Sequence, residues 1–173
     1  MTANIEEKTD QKQKALIGYE LALERAIDQH QDKVVELAQD CLEDVGMVGA
    51  KTGRFGKSQL NSAMTIATST ETSFQYIKNW LRYQMSRSQA SWPPELAKAV
   101  IKDCEGELLT LATTIIEKPE LDSKLKELGF TSDDQIKKLR IRLIRLYLGF
   151  MTRYYTYATS AMYEPPTPKK GAN

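Results

Sequence analysis

The sequence predicts an all-α fold, a single compact bundle of about five helices over residues 1–163 with a short disordered tail at 164–173. Three observations point there. Apolar residues recur at steps of three and four through most of the chain, which is the pattern of one helix face. No stretch alternates strictly enough to read as a strand, and no internal repeat is present. With 41% hydrophobic and 27% charged residues and only 9 Gly and 6 Pro in 173 residues, the composition is that of a globular chain long enough for one real core.

The first helix is predicted from about Asp10 to Val45. Its apolar positions are Leu16, Tyr19, Leu23, Ile27, Val34, Leu37, Cys41 and Val45, with His30 filling the one longer gap. The stretch GMVGAKTGRFG ends it, because four glycines make helix continuation costly. A short helix is expected from Lys57 to about Ala67. TSTET then offers Thr70 or Thr72 as an N-cap for a helix reaching about Arg87, whose apolar face is Phe74, Ile77, Leu81 and Met85. Pro93 and Pro94 stop it and suit the first turn of the next, predicted from Pro94 to Glu117 and closed by Pro119. A short helical or irregular piece, ELDSKLKELGF, leads to Thr131-Ser132-Asp133-Asp134, side chains that can cap a last helix running to about Met162. The remainder, EPPTPKKGAN, has the composition of a disordered end.

Packing must hold this fold together. Cys41 and Cys104 lie far apart on predicted helices and outside any CxxC arrangement, so they read as reduced, buried thiols. The opening stretch MTANIEEKTDQKQK has no apolar run and no small-residue cleavage site, and no segment approaches the ~20 apolar residues of a membrane span. The expectation is a cytoplasmic protein with no membrane partner. Catalytic sets are missing too. The single histidine, His30, falls on an apolar stripe, and neither it nor the isolated cysteines form a metal or nucleophile set, so no enzyme activity, metal or cofactor is expected. GAKTGRFGKS has the look of a phosphate loop, but the GxxxxGK[ST] motif would need glycine where Lys51 stands.

Charge is the informative feature. The net of +1 conceals four polarised blocks. Residues 1–50 carry 5 basic and 11 acidic side chains, residues 51–92 carry 6 and 1, residues 93–134 carry 5 and 10, and residues 135–173 carry 8 and 1. On the last helix, Lys138, Arg142, Arg145 and Arg153 fall within an arc of about 80°, with Gly149 in the same line. A cationic line of this kind repels itself unless an anion lies along it, and its spacing suits a phosphate backbone. The first basic segment adds Lys51, Arg54 and Lys57, then Lys78, Arg82 and Arg87, with Phe55, Tyr76 and Tyr83 placed to stack on bases or to fill the core. These ten cations are the candidate nucleic-acid-binding residues. The reading requires both sets to converge into one groove or ridge that internal carboxylates leave free. Reversing Arg142 and Arg145 should then abolish binding without unfolding the chain.

Three segments carry a family resemblance. KSQLNSAM, then NWLRYQMSR, then the closing GFMTRYYTYA together resemble the small helical subunit of type III CRISPR effector complexes. The matching positions are Ser58, Gln59 and Leu60, followed by Tyr83, Gln84 and Arg87; the family's arginine after the Ser-Gln-Leu triplet is Asn61 here. Over residues 56 to 160 the resemblance implies a non-catalytic bundle of about five helices that stacks along a ribonucleoprotein. Its implied partners are the crRNA or target RNA backbone, other subunits of the effector complex and copies of itself. The alternative is a helical adaptor that binds only protein. For that role the last helix offers two apolar arcs, one containing Leu139, Leu143 and Phe150 and one containing Ile144, Leu148 and Met151, of which one could meet a partner or both could be buried in the bundle.

Overall fold

The structure is a computed structural model that describes residues 2–49, 55–87, 92–160 and 162–164, with side chains described from residue 10. The described residues fold into helices joined by short turns, with no strand among them. They form eight helices: α1 (Thr2–Asp28), α2 (Gln31–Asp44), α3 (Lys57–Thr68), α4 (Phe74–Ser86), α5 (Pro94–Glu105), α6 (Glu107–Ile116), α7 (Pro119–Leu128) and α8 (Ser132–Ala158). The helical bundle is as expected, but the count exceeds five for identifiable reasons.

The predicted first helix breaks at Gln29–His30, where the apolar pattern takes its one long step. His30 adopts a non-helical conformation, and its Nδ1 lies 2.7 Å from the Ala26 carbonyl oxygen, so the ring is satisfied by the end of α1. The predicted helix from Pro94 to Glu117 breaks at Gly106, whose φ of −98° and ψ of −88° divide α5 from α6. ELDSKLKELGF is a regular helix, α7, with Pro119 in its first turn. It ends on Gly129 at φ 71°, a left-handed conformation that lets the Phe130 amide donate back to the Leu125 carbonyl. Thr131 caps α8 as expected, its hydroxyl accepting from the Asp134 amide. The N-cap of α4 is Ser73 rather than Thr70 or Thr72; Thr70 instead accepts from the Ser73 amide, one step earlier in the same turn.

α8 is the axis of the bundle. α2, α3 and α6 pack along it, α1 lies on α7, and α4 joins α3 to α5. Leu139, Ile141, Leu143, Ile144, Tyr147, Leu148, Met151 and Tyr155 of α8 are buried, and Ile136, Leu146, Phe150 and Tyr154 pack partly buried against the core. Both apolar arcs of the last helix therefore face inward, and neither is left over for a partner. Beside α8 sits an aromatic cluster in which Phe55 packs edge-on against Trp92 and Tyr155, at centroid distances of 5.2 and 5.4 Å, and Trp80 edge-on against Trp92. Phe55 is thus a core residue and no base-stacking ring. Cys41 and Cys104 are buried and unbridged.

Candidate nucleic-acid interface

Eight of the ten predicted cations fall among the described residues, and the structure distributes them over several surfaces. Lys51 and Arg54 lie outside the described residues, as does the predicted tail from residue 165 on. Arg145 is turned into the fold. Its Nε donates to the Ala67 carbonyl at 3.0 Å and its Nη2 to the Thr70 carbonyl at 2.7 Å, capping the C-terminal end of α3, with Glu71 3.2 Å away. Arg142 pairs with Glu24 of α1. Lys138 joins Arg142 and Arg145 along a small cleft of about 200 Å³ that also contains Glu20 and Glu71, so its charge is mixed. Further along the line, α3 packs against α8 at Gly149, where an added Cβ would meet Met64 at 3.5 Å. Arg153 lies beyond it, exposed, with its guanidinium 5.5 Å from the Phe150 ring. The expectation of one uninterrupted cationic ridge on the last helix is corrected: the line is broken by a helix cap, an ion pair and a packed helix.

The first basic segment fares differently. Lys78, Arg82 and Met85 recur on α4 at steps of four and three, on the side facing α5. Lys98, Ile101, Lys102 and Glu105 recur on α5 at steps of three, one and three, facing back. Together with Gly106 they line an open cleft of about 530 Å³. Four cations thus surround one carboxylate over an apolar floor of Met85 and Ile101. Glu105 pairs with Lys78, whose side chain is only 14% exposed. Lys98 has an exposed partner, Glu95, at 3.2 Å, whereas Arg82 and Lys102 make no salt bridge among the described residues. Arg87 extends the positive charge past the end of α4, its guanidinium 5.8 Å from the Tyr83 ring. Lys57 is exposed on the first turn of α3.

Lys98 and Lys102 are the residues that sequence reasoning missed. They sit in a block with twice as many acids as bases, and a count along the chain averages them with carboxylates on other faces of the same helix. Their four-residue spacing was the available signal. The second correction is that Lys78 and Arg82 of α4 open onto α5 while Lys138 and Arg142 open onto α1, so these members of the two predicted sets line separate surfaces.

The polar groups inside the bundle form a different kind of cluster. Tyr147 donates to Asp103 Oδ2 at 2.8 Å, with the Cys41 thiol in the same network. Burial raises the Asp103 carboxyl above its usual range, pushes Cys41 up to about 12 and holds Tyr147 well above an ordinary phenol. Arg140 bridges the nearby elements: its Nε donates to the Cys104 carbonyl at 3.0 Å, and its guanidinium lies 3.9 Å from the Phe74 ring centroid. These are interior contacts that lock α2, α4 and α5 to α8.

The chain is therefore an all-helical bundle with a strongly cationic, apolar-floored cleft. Among its described residues no cluster of three or more His, Cys, Asp or Glu side chains is placed to hold a metal ion, and no helix is long and apolar enough to cross a membrane. No family model, no curated protein and no solved structure matches the chain.

Proposed function

We propose that this protein is a non-catalytic structural subunit that holds the phosphate backbone of RNA, without regard to sequence, in the cleft between α4 and α5. The observation that carries the reading is the convergence of Lys78, Arg82, Lys98 and Lys102 around a single carboxylate. Like charges gathered on one open surface repel one another and are relieved by a bound polyanion. The absence of any Asp or Glu from Thr72 to Pro94 keeps the whole of α4 free of groups that would repel a phosphate.

The resemblance to the small subunit of type III CRISPR effectors names the setting: a cytoplasmic ribonucleoprotein in which the RNA is crRNA or its target and the neighbours are other subunits and further copies of this chain. Of the matched positions, Tyr83, Gln84 and Arg87 lie at the end of α4, outside the set of residues that line the cleft. Ser58, Gln59 and Leu60 open α3, and Leu60 is fully buried, so that part of the match is a packing feature.

The test is the salt dependence of binding to a single-stranded RNA. Phosphate neutralisation by three or four cations gives a log–log slope of about −2 to −3. Replacing Arg82, Lys98 and Lys102 together by Ala should flatten it by about 2 and weaken binding at low salt. Salt-insensitive association, or an unchanged slope in the triple variant, overturns the proposal.

A protein-only adaptor is the second reading, and α1 is what favours it. Ile17 and Leu21, one turn apart and each 54% exposed, face away from the bundle. Nuclease treatment before gel filtration separates the readings, because an adaptor keeps its partners when RNA is digested.

A further inference from the structure

We infer that the outer face of α4 is a base-stacking platform, and that the strand held there is single rather than duplex. The inference rests on the phosphate-binding reading above and adds the part of the ligand that the cleft itself leaves unread. The tyrosines divide by how the fold uses them. Of the 8 in the sequence, Tyr19, Tyr147, Tyr154 and Tyr155 donate their hydroxyls to Gln135, Asp103, Glu43 and the Phe55 carbonyl. Tyr157 accepts from the Glu164 amide and packs edge-on against Tyr163. Tyr76 and Tyr83 remain, 50% and 59% exposed, with no side-chain hydrogen bond among the described residues.

Their placement is regular. Seven residues apart on one helix, they lie about 20° apart around the axis and about 10 Å apart along it. Between and beside them stand Gln75, Asn79 and Ser86, which are uncharged and at least partly exposed. Arg82 lines the cleft, and Tyr83 follows it about 100° further round the helix, so a strand leaving the cleft past Arg82 would cross the edge of α4 to bring its bases onto the tyrosine face. Arg87 already lies by the Tyr83 ring, an arrangement in which a guanidinium and a base can share one aromatic surface. Bases in a duplex are stacked on one another and turn their edges inward, whereas a single strand can present unstacked faces to a ring. A separation of about 10 Å corresponds to about three steps of a stacked strand and to fewer in a splayed one.

The experiment is a set of fluorescence anisotropy titrations with the full chain and three probes of equal length: oligouridine, an abasic strand with the same phosphates, and a blunt RNA duplex. Oligouridine should bind about tenfold tighter than the abasic strand. In the Tyr76→Ala/Tyr83→Ala variant that advantage should vanish while affinity for the abasic strand stays unchanged. Tyr76→Phe/Tyr83→Phe should keep the advantage, and Tyr76→Leu/Tyr83→Leu, equally apolar but not planar, should lose it. If the alanine pair binds oligouridine like the wild type, or the duplex is preferred, the platform is refuted and the cleft stands. If none of the three probes binds, both this inference and the phosphate-binding reading fall.

Discussion

Arg145 distinguishes a cation that serves the fold from one that serves a ligand, and its replacement by Ala gives a measurable difference. Its guanidinium donates to two backbone carbonyls, at 3.0 and 2.7 Å, at the C-terminal end of α3. Hydrogen bonds from a charged donor contribute roughly 1.5–3 kcal/mol each. The side chain is 27% exposed, so water can replace part of what is lost. The third contact adds little, because Glu71 is 78% exposed and such pairs are worth about 0–1 kcal/mol. Replacing Arg145 by Ala should therefore cost about 2–3 kcal/mol once that replacement by water is counted. Arg142→Ala, which breaks a pair whose members are 38% and 47% exposed, should cost under about 1 kcal/mol. At about 2–4 °C per kcal/mol for a chain of this size, thermal unfolding followed by circular dichroism should show Arg145→Ala melting roughly 5–10 °C below the wild type and Arg142→Ala within about 3 °C. Arg145→Lys should fall between, since one ammonium cannot span both carbonyls as the planar fork does. If the two alanine variants melt together, the capping argument is wrong and Arg145 rejoins the cations free to meet a ligand. The expectation that charge reversal at Arg142 and Arg145 leaves the fold intact is revised on the same grounds, because a carboxylate in place of the Arg145 guanidinium would face carbonyl oxygens.

Two further outcomes follow from the interior. Trp92 is fully buried, and its Nε1 has no hydrogen-bond partner among the described residues, so Trp92→Phe removes an unsatisfied donor along with some packing; urea titration should place its cost well below the ~3–5 kcal/mol of Trp92→Ala. Asp103 has its pKa raised, chiefly by burial, so the folded state holds this proton more tightly than the unfolded chain and stability falls as pH rises from the ordinary carboxylate value through the raised one. Measured against Asp103→Asn across that window, the wild type should lose ground with rising pH; an unchanged difference between the two proteins would refute the assignment.

The all-helical fold was legible because burial on a helix repeats at three and four residues, and the segments from Leu16 to Val45, Phe74 to Met85 and Ile136 to Tyr155 all follow that rule. The breaks were less so. The seven-residue step from Ile27 to Val34 reads as a stripe with one polar member, yet it marks the exchange of one helix for another at His30. Gly106 sits among good helix formers, and only the turn between α5 and α6, which lets α6 lie on α8, explains its placement. Ser73 prevailed over its threonine neighbours as the cap of α4 by a difference of one residue, smaller than propensity can resolve.

The candidate site was half legible, and for a physical reason. A cation spaced four residues from the next looks the same in sequence whether it meets a phosphate or the negative end of a neighbouring helix, because both are anionic targets at the same reach. α3 has no basic residue in its last turn, so its C-terminal dipole is met from outside, by Arg145. Likewise Lys78 is half committed to Glu105, while Arg82 and Lys102, across the same cleft, have no salt bridge among the described residues. The tyrosines follow the same logic: those whose hydroxyls are engaged hold the bundle together, and the two on α4 stand exposed on one face. What separates a ligand-binding group from a structural one in this chain is the absence of work inside the fold. By that criterion the proposed strand is assigned to the surface built on α4, where Arg82 and Lys102 have no salt bridge among the described residues, rather than to the middle of the α8 line, where Arg142 and Arg145 are engaged.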